Sequence, residues 1–154
     1  MQRVVILGRG GAGKSTFARR FGEAFGFPVI ELDKHFWQPG LVPLPEDDWM
    51  KVQQDLANQP RWVMDGDLGP YDVLPVRLSA ADTVLLLDFP MWLCLWRALR
   101  RGGERWDFWW WLITWRWLER PKIRGLLAEH PLVEVHTFQS PKELDQFLSK
   151  LTSA

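Results

Sequence analysis

The sequence predicts a three-layer α/β fold, a parallel sheet of five strands with helices on both faces. Three observations predict it. Short aliphatic runs alternate with helical stretches along the whole chain. The first run leads straight into a glycine-rich turn, "GRGGAGKST", residues 8–16. Three further runs end in or beside an aspartate. Strands that alternate with helices pair in parallel and are covered on both sides.

The first strand is "RVVILG" (3–8) and the fourth is "TVLLLDF" (83–89). Their near-continuous apolar character suits strands buried on both faces. "PVIEL" (28–32), "RWVMD" (61–65) and "VEVHTF" (133–138) supply the second, third and fifth. Helices are expected over 14–25, about 46–58, about 91–101, about 106–129 and 141–151. Ser140-Pro141-Lys142-Glu143 reads as a cap with proline at the first helical position. No internal repeat, low-complexity tract or linker divides the chain. Its 154 residues suit one domain, 1–154.

Composition limits the function. Lys plus Arg and Asp plus Glu both number 19, so the formal net charge is zero. That gives no strong nucleic-acid signal, although a local basic patch stays open. The single cysteine, Cys94, excludes an internal disulfide, fits a reducing compartment and reads as core. The N-terminal apolar run, about five residues, is too short for a secretory signal. No stretch approaches the roughly 20 apolar residues of a transmembrane segment. A cytoplasmic location is expected. Eleven tryptophans are the compositional oddity.

Gly8, Gly13, Lys14 and Ser15 fit G-x-x-x-x-G-K-[ST], and the expected strand and helix flank the motif as it requires. This is the phosphate-binding loop of the P-loop NTPase fold. Glycines let backbone N–H groups surround phosphate oxygens, and the following helix adds free N–H groups and its positive dipole end. Gly8, Gly10, Gly11, Ala12, Gly13, Lys14, Ser15 and Thr16 are the candidate cofactor-binding residues. Lys14 would reach the β- and γ-phosphates, and the Ser15 hydroxyl would ligate Mg²⁺.

Asp33, Asp65 and Asp88 stand at strand ends, where open parallel sheets bind ligands. Phosphoryl transfer needs carboxylates there for metal, metal-bound water or an acceptor hydroxyl. Asp33 and Asp65 are the functional candidates, with Asp65 also a metal candidate. Asp88, before "FP" and a helix, reads as a turn residue or cap. Arg97, Arg100 and Arg101 share neighbouring parts of one expected helix, and Arg105 follows it. Arg116, Arg120 and Arg124 recur every four residues on the next helix. Such arginines either neutralise a transferred phosphoryl group or form a solvated basic face. His35 reads equally as a substrate-orienting or a turn residue, while His130 and His136 read as structural. No His/Cys/Asp cluster has zinc spacing.

"WVMDGD…RLSAADTVLLLDFPMWLCLWRALRR" resembles the middle of adenylate kinase-like proteins. "ELDKHFWQPG", "WVMDGD", "LCLWRALRR" and "RPKIRGLLAEH" resemble more closely the adenylate kinase-related group known as topology-modulation protein FlaR. The resemblance implies sheet order 2-3-1-4-5 and ATP with Mg²⁺ as cofactors. It implies that Asp65 organises water on Mg²⁺ and that Arg97 and Arg101 flank the nucleotide and the transferred phosphate. Arg116 would be a lid arginine, residues 139–142 would lie beside the adenine, and Asp33 would face the acceptor. ATP over GTP rests on this resemblance, since no N-K-x-D motif is present. Two departures stand out. Where adenylate kinases continue D-G with F-P-R, this chain has Asp67-Leu68-Gly69 and no arginine. Asp67 also replaces an asparagine usual in the FlaR-like pattern. A carboxylate there would repel a monophosphate and favour hydroxyls or a cation.

In "WDFWWWLITWRWL", Trp106, Trp110 and Trp117 share one helix side, Phe108, Trp111 and Trp115 another, and Trp109 and Ile113 a third. The helix is apolar almost all round, more than one core face requires. Three uses stay open: core packing with surplus rings over the acceptor pocket, a homodimer surface, and a membrane-surface segment. The expected activity is transfer of the γ-phosphate of ATP to a small-molecule acceptor, most simply a hydroxyl. The acceptor would lie between a segment at about 33–58 and a lid and aromatic-helix region at about 102–117. A nucleotide-binding regulator or interaction protein and a nucleoside monophosphate kinase are the alternatives.

Overall fold

The computed structural model describes residues 1–154, apart from the side chain of Pro70. Its main sheet is built from β1 (Arg3–Gly8), β2 (Val29–Glu31), β5 (Trp62–Asp65), β6 (Thr83–Leu87) and β7 (Glu134–Phe138). All four pairings are parallel, in the order β2-β5-β1-β6-β7. Counting only these five, the order is the expected 2-3-1-4-5. The numbering shifts because a hairpin unforeseen in the sequence, β3 (Trp37–Gln38) with β4 (Val42–Pro43), intervenes.

Strand alternation explains the two cores. Val4 and Ile6 of β1 face one side, with α1 (Lys14–Phe25), α5 (Met91–Arg101) and α7 (Pro141–Ser153) supplying Phe17, Phe21, Cys94 and Leu144. Val5 and Leu7 face the other, under α3 (Glu46–Ala57), α4 (Leu74–Ala80) and α6 (Trp106–Ala128), which supply Trp49, Leu78, Trp115 and Ile123. Burying both faces is what the continuous apolar runs of β1 and β6 require. Cys94 is a core residue, as its apolar helix suggests.

The expected helices form within a residue or two of their predicted limits. The cap before α7 also forms: Ser140 Oγ accepts from the Glu143 N–H at 3.3 Å. Two short helices were not foreseen, α2 (Leu32–Phe36) and α4. Among the described residues, no helix is long and apolar enough to cross a membrane.

Candidate active site

The glycine-rich run forms a loop from the end of β1 to the start of α1. Gly11 has φ 77°, and a Cβ there would run into the Cys94 carbonyl oxygen, so only glycine fits. The first turn of α1 has neither a side-chain cap nor an acidic residue, so its N–H groups and dipole are free for an anion. Lys14 Nζ donates to the carbonyls of Gly8 at 2.8 Å and Arg9 at 3.1 Å. The ammonium also lies 5.6 Å from the Trp111 ring centroid. Ser15 and Thr16 are exposed in the same turn.

Carboxylates gather beside this loop. Asp65 ends β5, in register with Ile6 of β1 and Glu31 of β2. It is buried, and its Oδ1 has no hydrogen-bond partner. Burial pushes its pKa up, against a hydrogen bond from Ser15 and the charge of Lys14. A buried oxygen without a partner is costly unless a ligand or water completes it. With the Ser15 hydroxyl adjacent, these donors fit a hydrated Mg²⁺, which keeps most of its waters and takes few protein ligands. Asp33 sits in the first turn of α2, two residues past the end of β2. Although the side chain is exposed, the surrounding protein raises its pKa; Lys14 opposes the rise, while Asp65 and Asp72 add to it.

Asp67 is differently occupied. It accepts from the Gly69 N–H at 3.1 Å and from Trp115 Nε1 at 3.3 Å. Burial, reinforced by Asp72, pushes its pKa up to about 6. It thus ties the β5 end to α6 instead of standing open to an acceptor. Arg77 on α4 is fully buried. It holds Asp72 in a fork of two 2.6 Å hydrogen bonds and donates at 3.1 Å to Gln53 Oε1 and the Gly66 carbonyl.

The opposite side is basic. Arg97 Nη1 donates to the Ala12 carbonyl at 3.1 Å. Arg101 pairs with Glu104 and lies 5.6 Å from the Phe108 centroid. Arg97 and Arg101 line a cleft of about 350 Å³ together with Gly11, Gly13, Thr16 and Pro141. Arg100 is turned away, over Trp96 at 4.9 Å. Arg116 is exposed and its charge reaches Arg9, a buried loop residue stacked 5.5 Å from the Trp115 centroid. Asp88 is no helix cap: Pro90 takes that position, and Asp88 pairs with Arg120 at 2.6 Å.

The chain is similar over nearly its whole length to three solved kinases. A shikimate kinase from Acinetobacter baumannii, in complex with shikimate, has a TM-score of 0.68 at 15% identity, covering 99% of this chain and 94% of that one. A gluconokinase from Sinorhizobium meliloti 1021 has 0.57 at 18%, covering 99% and 94%. A sugar kinase from Janibacter sp. HTCC2649 has 0.55 at 21%, covering 98% and 94%. The fold is that of P-loop kinases. No protein-family model matches the sequence, and no curated protein does.

The structure brings Asp33, Asp65, Arg97 and Arg101 together beside the Gly8 to Thr16 loop, while Arg116 is exposed on α6 within charge range of Arg9. The aromatic helix divides by face. Phe108, Trp111 and Trp115 turn inward, and a Cβ on Gly10 would meet Phe108 and Trp111 at 2.6–2.7 Å. Trp106, Trp110 and Trp117 turn outward and are exposed. One residue escaped the sequence reading: Arg9 fills a variable motif position and is singled out only by its stacking on Trp115. Arg77, which could otherwise bring charge to a monophosphate acceptor, is spent on Asp72. His35 is exposed, and His130, just beyond the end of α6, has its Nδ1 2.7 Å from the Leu126 carbonyl, a structural contact.

Proposed function

We propose that this protein is an ATP- and Mg²⁺-dependent kinase that phosphorylates a hydroxyl of a small molecule. One observation carries the choice of acceptor. Asp33, Asp65, Asp67 and Asp72 influence one another's charge around Lys14, and the arginine beside them, Arg77, is locked onto Asp72. A monophosphate brings about two negative charges and needs arginine to meet them. A hydroxyl needs a carboxylate to take its proton, and the upward shift of Asp33 brings its pKa nearer to that task.

Mg²⁺-ATP would supply the phosphoryl group and part of the charge that stabilises its transfer. The chain's own residues do the rest. The N–H groups from Gly10 to Thr16 and the Lys14 ammonium hold phosphate oxygens. Ser15 and Asp65 position the metal's ligand shell. Arg97 and Arg101 neutralise charge on the nucleotide side, and Asp33 orients and deprotonates the hydroxyl. Phe108 and Trp111, packed on Gly10, keep water from the loop. Catalysis by positioning and charge suits this reaction. The resemblance to adenylate kinase-related proteins supports ATP as donor.

The test is ADP release measured across sugars, hydroxy acids and nucleoside monophosphates. Turnover with a hydroxyl acceptor, dependent on Mg²⁺, is expected. Robust conversion of AMP, CMP, UMP or dTMP to its diphosphate would overturn the acceptor assignment. Nucleotide binding without turnover on any acceptor would favour a regulator.

A further inference from the structure

We propose that the outward faces of α5 and α6 form a surface that lies on the anionic headgroup layer of a phospholipid membrane without crossing it. On α5, Trp92, Trp96 and Leu99 recur at helical spacing and are all more than half exposed. On α6, Trp106, Trp110 and Trp117 do the same, with Ile113 between them at 44% exposure. The two helices pack against each other, so the stripes are neighbours. Neither stripe serves the core, because α5 packs through Cys94 and Ala98 and α6 through Leu112, Trp115 and Ile123. Five exposed indoles on one helix pair need an occupant.

Charge identifies it. Residues 91–124 contain eight Arg and Lys against three Asp and Glu, a net of +5, of which Arg97 and Arg101 face the cleft and Arg120 pairs with Asp88. The whole chain is neutral, so the remaining residues carry −5. Arg100, Arg116 and Arg124 have no ion pair among the described residues, and Arg100 lies over Trp96. A second copy would bring the same positive charge to this face. Single-stranded nucleic acid would stack on the indoles, but Leu99, Ile113 and Leu118 offer no stacking, and the stripes occupy outward helix faces instead of a groove. A membrane interface uses every part. Indoles settle at headgroup level, aliphatic side chains reach the acyl boundary, and guanidinium groups meet lipid phosphates. The inner face of α6 rests on Gly10 and Lys14, so the lipid-facing surface and the phosphate loop are two sides of one helix.

The test is co-sedimentation with phosphatidylcholine vesicles, alone or with about a quarter phosphatidylglycerol. The wild type should bind only the anionic vesicles and release at ~0.5 M salt. Its tryptophan emission should shift to the blue and be quenched by brominated lipid. Trp106→Gln/Trp110→Gln/Trp117→Gln should lose at least about tenfold in partitioning, as should Arg100→Glu/Arg124→Glu, each with an unchanged circular dichroism spectrum. Three results would overturn the proposal: no binding of the wild type to anionic vesicles, preference for a single-stranded oligonucleotide over them, or a lipid-independent dimer that the triple Trp variant dissolves.

Discussion

On the side of α5 and α6, the phosphate loop faces guanidinium groups: Arg97 against Ala12, Arg101 beside Glu104, Arg9 stacked on Trp115. On the side of β2 and β5 it faces carboxylates: Asp33, Asp65 and Asp67, with Asp72 behind them. Lys14 stands between the two walls and opposes the upward shift that burial gives all three. The walls differ in construction as well as sign. The basic wall rests on long side chains from helices, several bonded to backbone or aromatic rings. The acidic wall rests on short side chains at or within two residues of strand ends. A phosphate can be held by charges with some freedom, whereas proton removal from one hydroxyl needs an exact distance. The proposed reaction uses that contrast, with the nucleotide and the acceptor on opposite sides.

Breaking the acidic wall should have the largest effect. Asp33→Asn keeps the shape of α2 but removes the proton acceptor, and turnover should fall about 10²- to 10⁴-fold while nucleotide affinity stays unchanged. Equal losses in ATP binding and turnover would move Asp33 to the nucleotide side. Arg77→Leu sharpens the contrast differently. It leaves Asp72 partly buried without its partner, which should cost about 3–5 kcal/mol in denaturant unfolding. A variant as stable as the wild type would show that Arg77 does not hold this wall. Between the walls, Lys14→Ala should weaken ATP binding or turnover at least about tenfold, about 1.4 kcal/mol. Calorimetric titration with ATP and an unchanged ADP-release rate would together remove Lys14 from the site.

The same contrast explains what could be read from the sequence. The phosphate loop was legible because its chemistry needs contiguous residues of fixed type. β1, β5 and β6 were legible because both their faces are buried. The short α2 was not, since the five residues "LDKHF" are too few to establish a helical period. α4 was not, since its seven residues "LPVRLSA" are too few to show a helical period and bury an arginine, against the usual burial rank. The acidic wall was half legible. Asp33 and Asp65 followed from strand-end placement, but the orientation of Asp67 depends on Trp115, 48 residues away, and the fate of Arg77 on Asp72 and Gln53. Asp88 looked like a cap because its local sequence precedes a helix, while its partner, Arg120, lies on α6. The basic wall was legible from the helical spacing of Arg97 and Arg101, although net charge gave no sign of it because the compensating acids lie elsewhere in the chain.

The smallest effect concerns Asp67, the carboxylate that joins the two walls through Trp115. Its pKa is about 6 in the folded protein against 3.8 when unperturbed. Between these values the folded chain keeps a proton that the unfolded chain has released. Stability contributed by this group is therefore present below pH ~4 and lost as pH rises through about 6. Asp67→Asn removes the titration. Its amide oxygen can still accept one of the two hydrogen bonds from Gly69 and Trp115, so it forgoes about 1 kcal/mol at every pH. That loss sets an offset and no slope. The variant should thus gain on the wild type by roughly 1–2 kcal/mol between pH ~4 and ~7, after screening of a partly exposed group, and by nothing further above that. Thermal unfolding of both proteins across this range reads the slope directly. A difference that stays flat with pH would mean that Asp67 ionises as freely folded as unfolded. The carboxylate would then stand open to solvent on the acidic wall, available to an acceptor, and Trp115 would hold α6 in place by packing alone.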